Sequence, residues 1–288
     1  MASPFRLSAL RRFRRPFPLQ EPTRRPEVLV LPKEYRTDRR HRDGAQPYAA
    51  QRVVWAAYVV ASQTPGLSAL QFQRQLGLSR YETAFGIRHK LRSPMVRPGQ
   101  DRIGGLVDQH VEVDETWVGG LTRGEGRGVH HKVLVAAAVE VRHLEPGTAQ
   151  DKRLDGRYAG RVRLSIAADR SAESLGGFVK STVIPRTLVI TDDWSGYNGL
   201  RTDGYDHHPI AQCGDPEVSE EFMRIVHLVF SNLKTWLNGI HYGVSQKHLQ
   251  AYLNEFTFRF NRRFYPFNAF RSLLGMAGSA TAPTAAGL

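Results

Sequence analysis

A small all-α module followed by an α/β domain is the fold class the sequence predicts, on three observations. The apolar period is helical over residues 47–93, and from residue 104 it changes to the two-residue alternation of strands. A length of 288 residues is enough for two cores. With 41% hydrophobic and 23% charged residues, the chain has the balance of an ordinary folded protein.

Residues 1–45 alternate arginine and proline, and proline breaks both helix and ladder while the like charges repel, so a disordered basic arm is expected there. A helix-turn-helix module is expected over 46–100. AQRVVWAAYVVAS (50–62) carries Val53, Val54, Ala57, Tyr58 and Ala61 at helical spacing, and TPG ends it. Ser68 and Gln71 form a capping box at the start of a short helix, and Gly77 makes the turn. Ser79 and Glu82 predict a second capping box on the longer basic helix SRYETAFGIRHKLR. In the helix-turn-helix reading this second helix presents Arg80, Tyr81, Arg88 and Lys90 to a DNA groove. The plainer reading is a three-helix packing module whose charges face water.

The α/β domain is expected over 104–275. DQHVEVDETWVGG alternates Val111 and Val113 with Glu112 and Asp114 and reads as a half-buried strand. KVLVAAAVEV (132–141) is a buried strand, GRVRLSIA (160–167) a third, and the glycine-rich GGLTRGEGRGVHH between the first two a hairpin loop. SAESLGGFVKSTV (171–183) reads as a helix, TLVITDDWSGY as a short strand ending at Asp192, and HHPIAQC as a fifth strand. Two helices follow, over 220–239 and 245–263, and residues 276–288 are small and low in complexity, a loose tail. Three strands, a helix, two strands and two helices is the order of an RNase H-like fold, although periodicity alone allows other α/β topologies.

Composition narrows the function. Forty Lys+Arg against 27 Asp+Glu leave +13, of which residues 1–50 carry +7. That favours a polyanionic partner, nucleic acid before an acidic membrane surface, with simple solvation as the plain alternative. The longest uncharged apolar run is VVWAAYVVA, nine residues or about 14 Å of helix, too short to span a bilayer. The start has no secretory h-region, and one cysteine, Cys213, excludes an intrachain disulfide and a zinc site of several thiolates. A cytoplasmic, nucleoid-associated protein without a small-molecule cofactor is expected.

Asp114 falls in the middle of a strand, where a carboxylate is costly to bury unless paired or metal-bound. Asp192 closes another strand at its C-terminal end, where ligands gather in open α/β sheets. Two such carboxylates can hold hard divalent cations, and two cations serve phosphoryl transfer. A single strand-end aspartate taken alone reads first as a turn or cap residue. Strand alternation turns their neighbours Glu115 and Asp193 to the opposite face.

VEVDETWVGG, TDDWSGY and the run HLVFSNLKTWLNGIHYGVSQKHLQAYLNEFTFRFNRR together resemble bacterial insertion-sequence transposases of the insertion-sequence 1595 family, with the ISXO-type transposase domain of the DDE superfamily. The resemblance covers roughly residues 50–275, the helical module included. It implies a retroviral-integrase-like catalytic domain and Mg²⁺- or Mn²⁺-dependent DNA cleavage and strand transfer at a two-metal site. Its first acid falls on Asp114 and its second on Asp192. The third position, which varies among Glu, Asn and His in the family, falls on His227, 35 residues after Asp192. The family's basic residue, seven positions on, falls on Lys234, to contact DNA. Seven residues are two helical turns, so His227 and Lys234 share a face, though a helix lysine can equally face solvent. The implied partners are inverted-repeat element ends and target DNA, with a homo-oligomer in the synaptic complex.

The sequence departs from the family in one respect. Members commonly begin with a zinc ribbon of paired cysteines, and there is no CxxC here. A lost first module, or a reading frame that starts inside a degraded element, is the expectation. The rival to an active transposase is therefore a catalytically inactive DNA-binding remnant.

Overall fold

The computed structural model describes residues 45–63, 66–96, 100–106, 109–119, 132–144, 156–211 and 221–279. The basic arm as far as residue 44, the glycine-rich hairpin from residue 120, Cys213 and residues 280–288 lie outside the described residues.

Five strands form one mixed sheet: β1 (His110–Gly119), β2 (Lys132–His143), β3 (Arg157–Ile166), β4 (Leu188–Asp192) and β5 (Asp206–Ile210). Their spatial order is β3-β2-β1-β4-β5. β1 pairs antiparallel with β2 and β2 with β3, whereas β1, β4 and β5 run parallel. β2 reads as a continuous apolar run because both of its faces are covered: Ala136 and Ala138 meet one cluster and Val135, Ala137, Val139 and Val141 the other. α4 (Ala172–Thr182) crosses between β3 and β4, and its Leu175 and Val179 pack with Val111, Val113 and Val189. The opposite face carries α5 (Arg224–His241) and α6 (Gln246–Asn261), whose Val226, Val229, Leu233, Leu249 and Leu253 pack on β2 and β3.

The N-terminal helices are α1 (Ala45–Ser62), α2 (Ala69–Gln75) and α3 (Tyr81–Arg92). Ser68 caps α2 in a complete capping box with Gln71, as expected. The second expected box does not form. α3 starts at Tyr81, its N-cap is Arg80, and no side chain caps it, because Ser79 stands one residue too early for its hydroxyl to serve the third helical residue.

These helices have no core to themselves. Ala57, Val60, Phe72 and Ala84 pack with Phe258 of α6 and with Ala269 and Leu273 of a last helix, α7 (Pro266–Ser279). The loose tail expected from residue 276 is helical as far as Ser279, where the described residues end. The joint between the helices and the α/β layer is ionic as well as apolar. Arg88 and Arg92 of α3 are 2% and 1% exposed and pair with Glu255 of α6, at 3.3 and 2.6 Å. This corrects the expectation for Arg88: its guanidinium is committed to a buried carboxylate and is not offered to a groove. No helix among the described residues is long and apolar enough to cross a membrane.

Candidate active site

β1 and β4 are in register only from His110↔Leu188 to Glu112↔Ile190. Beyond Glu112, the edge of β1 is open toward the C-terminal end of β4, where Asp192 ends the strand. Parting parallel strands leave a crevice at their carboxyl ends, the common place for a ligand in open α/β sheets. Asp114, Glu115 and Asp192 converge there, one carboxylate oxygen of each lying within 4.8 Å of the others.

Asp114 and Asp192 meet as the sequence predicts; Glu115 does not behave as predicted. Alternation does send it to the face of Val113 and α4, but at an unpaired edge a side chain one methylene longer than aspartate still reaches the strand ends. Its carboxylate accepts from the Tyr197 hydroxyl (2.6 Å) and from Arg170 Nε (2.5 Å). The Arg170 guanidinium also stands 3.8 Å from Asp192 and lies over the Trp194 ring at 4.0 Å. The indole in turn donates to the Arg170 carbonyl at 2.8 Å. Glu115, Arg170, Tyr197 and Trp194 thus form a support behind the aspartates. Glu115 carried a sequence signal by its place beside Asp114, Trp194 and Tyr197 by theirs in TDDWSGY, and Arg170 none. Asp193 is exposed and stays outside the cluster.

From the other face, α5 brings His227 and Lys234. His227 Nε2 is 3.2 Å from Asp114 Oδ2, and Lys234 Nζ donates to Thr116 Oγ1 at 2.7 Å. Positions 114 and 116 share a face of β1, and 227 and 234 share a face of α5, so the same two faces meet at both contacts. The α5 sequence follows from this placement: Ile225, Val226, Val229, Phe230, Leu233, Trp236 and Leu237 are buried at helical spacing, while exposed residues fill the other side.

The site is short of positive charge. Burial, then Glu115 and Asp114, push the Asp192 carboxyl up to about 6. The hydrogen bond to Asp114 raises the His227 imidazole above its ordinary value despite burial. Burial, then Lys132, lower the Lys234 ammonium. Burial, then Glu115, also raise the Tyr197 hydroxyl, which therefore stays a proton donor. Two carboxylates that lack a sufficient counter-charge, with an imidazole beside them, are a donor set for a divalent cation. Glu115 belongs to the same cluster, and its oxygens are also engaged by Arg170 and Tyr197.

Of the residues expected to meet DNA, Arg80 and Tyr81 are exposed at the start of α3, Tyr81 stacking on Phe85 with centroids 6.2 Å apart. Lys90 is half-buried and Arg88 buried at its far end. The exposed basic character of α3 is thus concentrated at its N-terminus.

Residues 105–261 match the family described as ISXO2-like transposase domain. No curated protein and no solved structure matches the chain. The matched segment contains the whole sheet, the converging carboxylates, α5 and α6, and makes up more than half of the 288 residues. The chain therefore belongs to the insertion-sequence 1595 family of DDE transposases.

Proposed function

We propose that the protein is an active transposase that cuts DNA at the inverted-repeat ends of its element and joins the freed ends to target DNA. The observation that carries this reading is the convergence of Asp114 and Asp192, with the carboxyl of Asp192 pushed up to about 6 among other carboxylates. Carboxylates set so close repel and favour a bound cation. In the first step a water oxygen attacks phosphorus and the bond to the 3′ oxygen breaks, leaving a 3′-hydroxyl. That hydroxyl oxygen then attacks a target phosphodiester and displaces the target's own 3′ oxygen. Mg²⁺ or Mn²⁺ bound by Asp114, Asp192 and His227 would supply stabilisation of the charge that develops on the phosphoryl oxygens.

The protein's own groups orient the substrate. Lys234, held beside Thr116 on the face that carries His227, contacts a backbone phosphate near the scissile bond. Arg80, Tyr81 and Lys90 contact DNA away from the cut, in the helix-turn-helix reading of the N-terminal helices, and the basic residues 1–45 add nonspecific affinity. Synapsis of two ends calls for at least a dimer in action.

A strand-transfer assay with labelled terminal-repeat DNA tests the reading. Metal-dependent nicking followed by covalent joining to target DNA is expected. Nicking without joining would mark a nuclease, and binding without nicking an inactive remnant. Imidazole suits borderline ions better than Mg²⁺, so Mn²⁺ is expected to give the faster cleavage, and His227→Glu to shift the preference toward Mg²⁺.

A further inference from the structure

We infer that Glu112 is a positioning residue of this site, one that fixes the first turn of α5 so that His227 meets Asp114. The inference rests on the reading of His227 as part of the site.

Glu112 precedes Asp114 by one strand repeat, on the same face of β1, and is 0% exposed. Its Oε2 accepts the backbone N–H of Val226 at 2.7 Å, and Val226 adjoins His227. Val226 is the third residue of α5, whose N-cap, Met223, offers no capping side chain. An N-cap serine or aspartate ordinarily accepts from the second or third helical N–H, and here a carboxylate from the sheet takes that place. The same strand face then meets the same helix at two further points, Asp114 with His227 and Thr116 with Lys234. Those two are contacts between side chains at a partly open cleft. The Glu112 contact alone is buried and holds backbone.

Stability does not account for a carboxylate at this position. Its second oxygen, Oε1, is buried with no hydrogen-bond partner among the described residues, and His110 Nε2 stands 3.8 Å away. A buried carboxylate that is not fully bonded is costly, and an apolar side chain would fill the face without that cost. What an apolar side chain cannot do is pin the helix terminus at a fixed distance from the strand that carries Asp114. Glutamate has both the reach and an acceptor favoured at a helix N-terminus.

Two variants separate reach from charge. Glu112→Gln keeps the length and a carbonyl acceptor for Val226 but loses the charge; Glu112→Asp keeps the charge and loses a methylene of reach. Positioning predicts cleavage within about threefold of wild type for Glu112→Gln and about 10–100-fold slower for Glu112→Asp, with DNA affinity unchanged in both, since sub-ångström to ångström misplacement costs that much. Nuclear magnetic resonance of the His227 ring in the metal-free full-length protein gives a second reading that needs no activity. Its signals should match wild type in Glu112→Gln and shift in Glu112→Asp. Unshifted His227 signals in Glu112→Asp overturn the inference, as does equal loss of cleavage in both variants or a loss confined to Glu112→Gln. Failure of the underlying reading looks different: Asp114→Asn would cleave like wild type, or wild type would not cleave at all, while the ring signals would still report on Glu112.

Discussion

Two charge clusters, one where α3 docks on α6 and one at the ends of β1 and β4, settle their charges in opposite ways. At the joint with α3, burial alone would raise the Glu255 carboxyl, but Arg92, Arg88 and Arg259 outweigh it and pull it down to about 2. At the strand ends, burial and two neighbouring carboxylates push Asp192 up to about 6, and Arg170, 3.8 Å away and already bound to Glu115, offsets little of it. In the first cluster the single carboxylate is over-matched by guanidinium groups, and Arg88 Nε and Nη1 and Arg92 Nη2 are buried with no hydrogen-bond partner among the described residues. The second is left with excess negative charge and an open crevice. Burial is common to both, so burial does not mark a candidate functional carboxylate; excess negative charge beside an open crevice does.

The largest effect expected from this contrast is on cleavage. Asp114→Asn or Asp192→Asn should lower metal-dependent cleavage by about 10³-fold or more while leaving DNA affinity near wild type, because each removes an oxygen ligand and a charge. Stability should move the other way. A carboxyl raised in the fold destabilises the native state when ionised, so Asp192→Asn should gain about 1–2 kcal/mol at pH 7 in urea unfolding. As pH falls from 7 toward 4 the gain should shrink, because wild-type Asp192 takes up its proton in the folded chain first and is relieved of the same repulsion. A variant that is both inactive and less stable at pH 7 would place Asp192 in the same class as Glu255.

Glu255→Gln probes the first cluster. It leaves Arg88 and Arg92 buried without their anion, and truncating one partner of a buried pair costs about 3–5 kcal/mol. For a chain of this size that lowers the thermal midpoint by roughly 10 °C. Cleavage per folded molecule, measured well below the new midpoint, should stay within a few-fold of wild type. A large loss of cleavage with an unchanged midpoint would reverse the two assignments.

Acid should separate the clusters further. Burial, then Arg92, hold the His89 imidazole down at about 4, and burial, then Arg88, hold His241 at about 3, against an ordinary 6.5. The unfolded chain therefore takes up these protons first, and stability is lost as pH falls below about 6.5 through 4. Glu255 is depressed below its ordinary 4.5, so its contribution is present above that value and is lost as pH falls toward 2. Asp192 works against this between about 6 and 3.8, where the folded chain is the better proton acceptor. Urea midpoints across pH 4–7 should fall on acidification. Replacing both His89 and His241 with Phe should flatten the fall, and an unchanged slope would remove the joint as its source.

The strands, α4, α5 and α6 could be read from the sequence because each carries its own apolar period, and the two aspartates because each falls at a marked place on a strand. What could not be read depends on which elements come together. Arg88 and Arg92 sit in a basic helix that looks solvated, and only the docking of α3 on α6 brings Glu255 to them from 163 residues or more away. Alternation gave the face of Glu115 correctly, but its carboxylate reaches the site because β1 loses its β4 neighbour after Glu112, a fact of register. Arg170, between a strand and a capped helix, had no periodic signal at all.

The smallest expected effects test the DNA-facing role of α3, and they divide one helix between the two kinds of charge. Each phosphate contact contributes about −0.9 to the slope of log affinity against log salt. Arg80→Ala, at the exposed start of α3, should reduce that slope by about one and leave the thermal midpoint within a degree or two. Arg88→Ala should do the reverse: the guanidinium is 2% exposed and bound to Glu255, so its loss appears in the midpoint, while the salt slope keeps its value. The two positions are eight residues apart, Arg80 at the N-cap and Arg88 within α3, so a general disturbance of α3 would move both quantities in both. Fluorescence anisotropy titrations over 50–200 mM salt, run beside thermal melts, give the four numbers. A reduced slope for Arg88→Ala with an unchanged midpoint would mean that α3 undocks to bind DNA, and the buried joint would then belong to the unbound state alone.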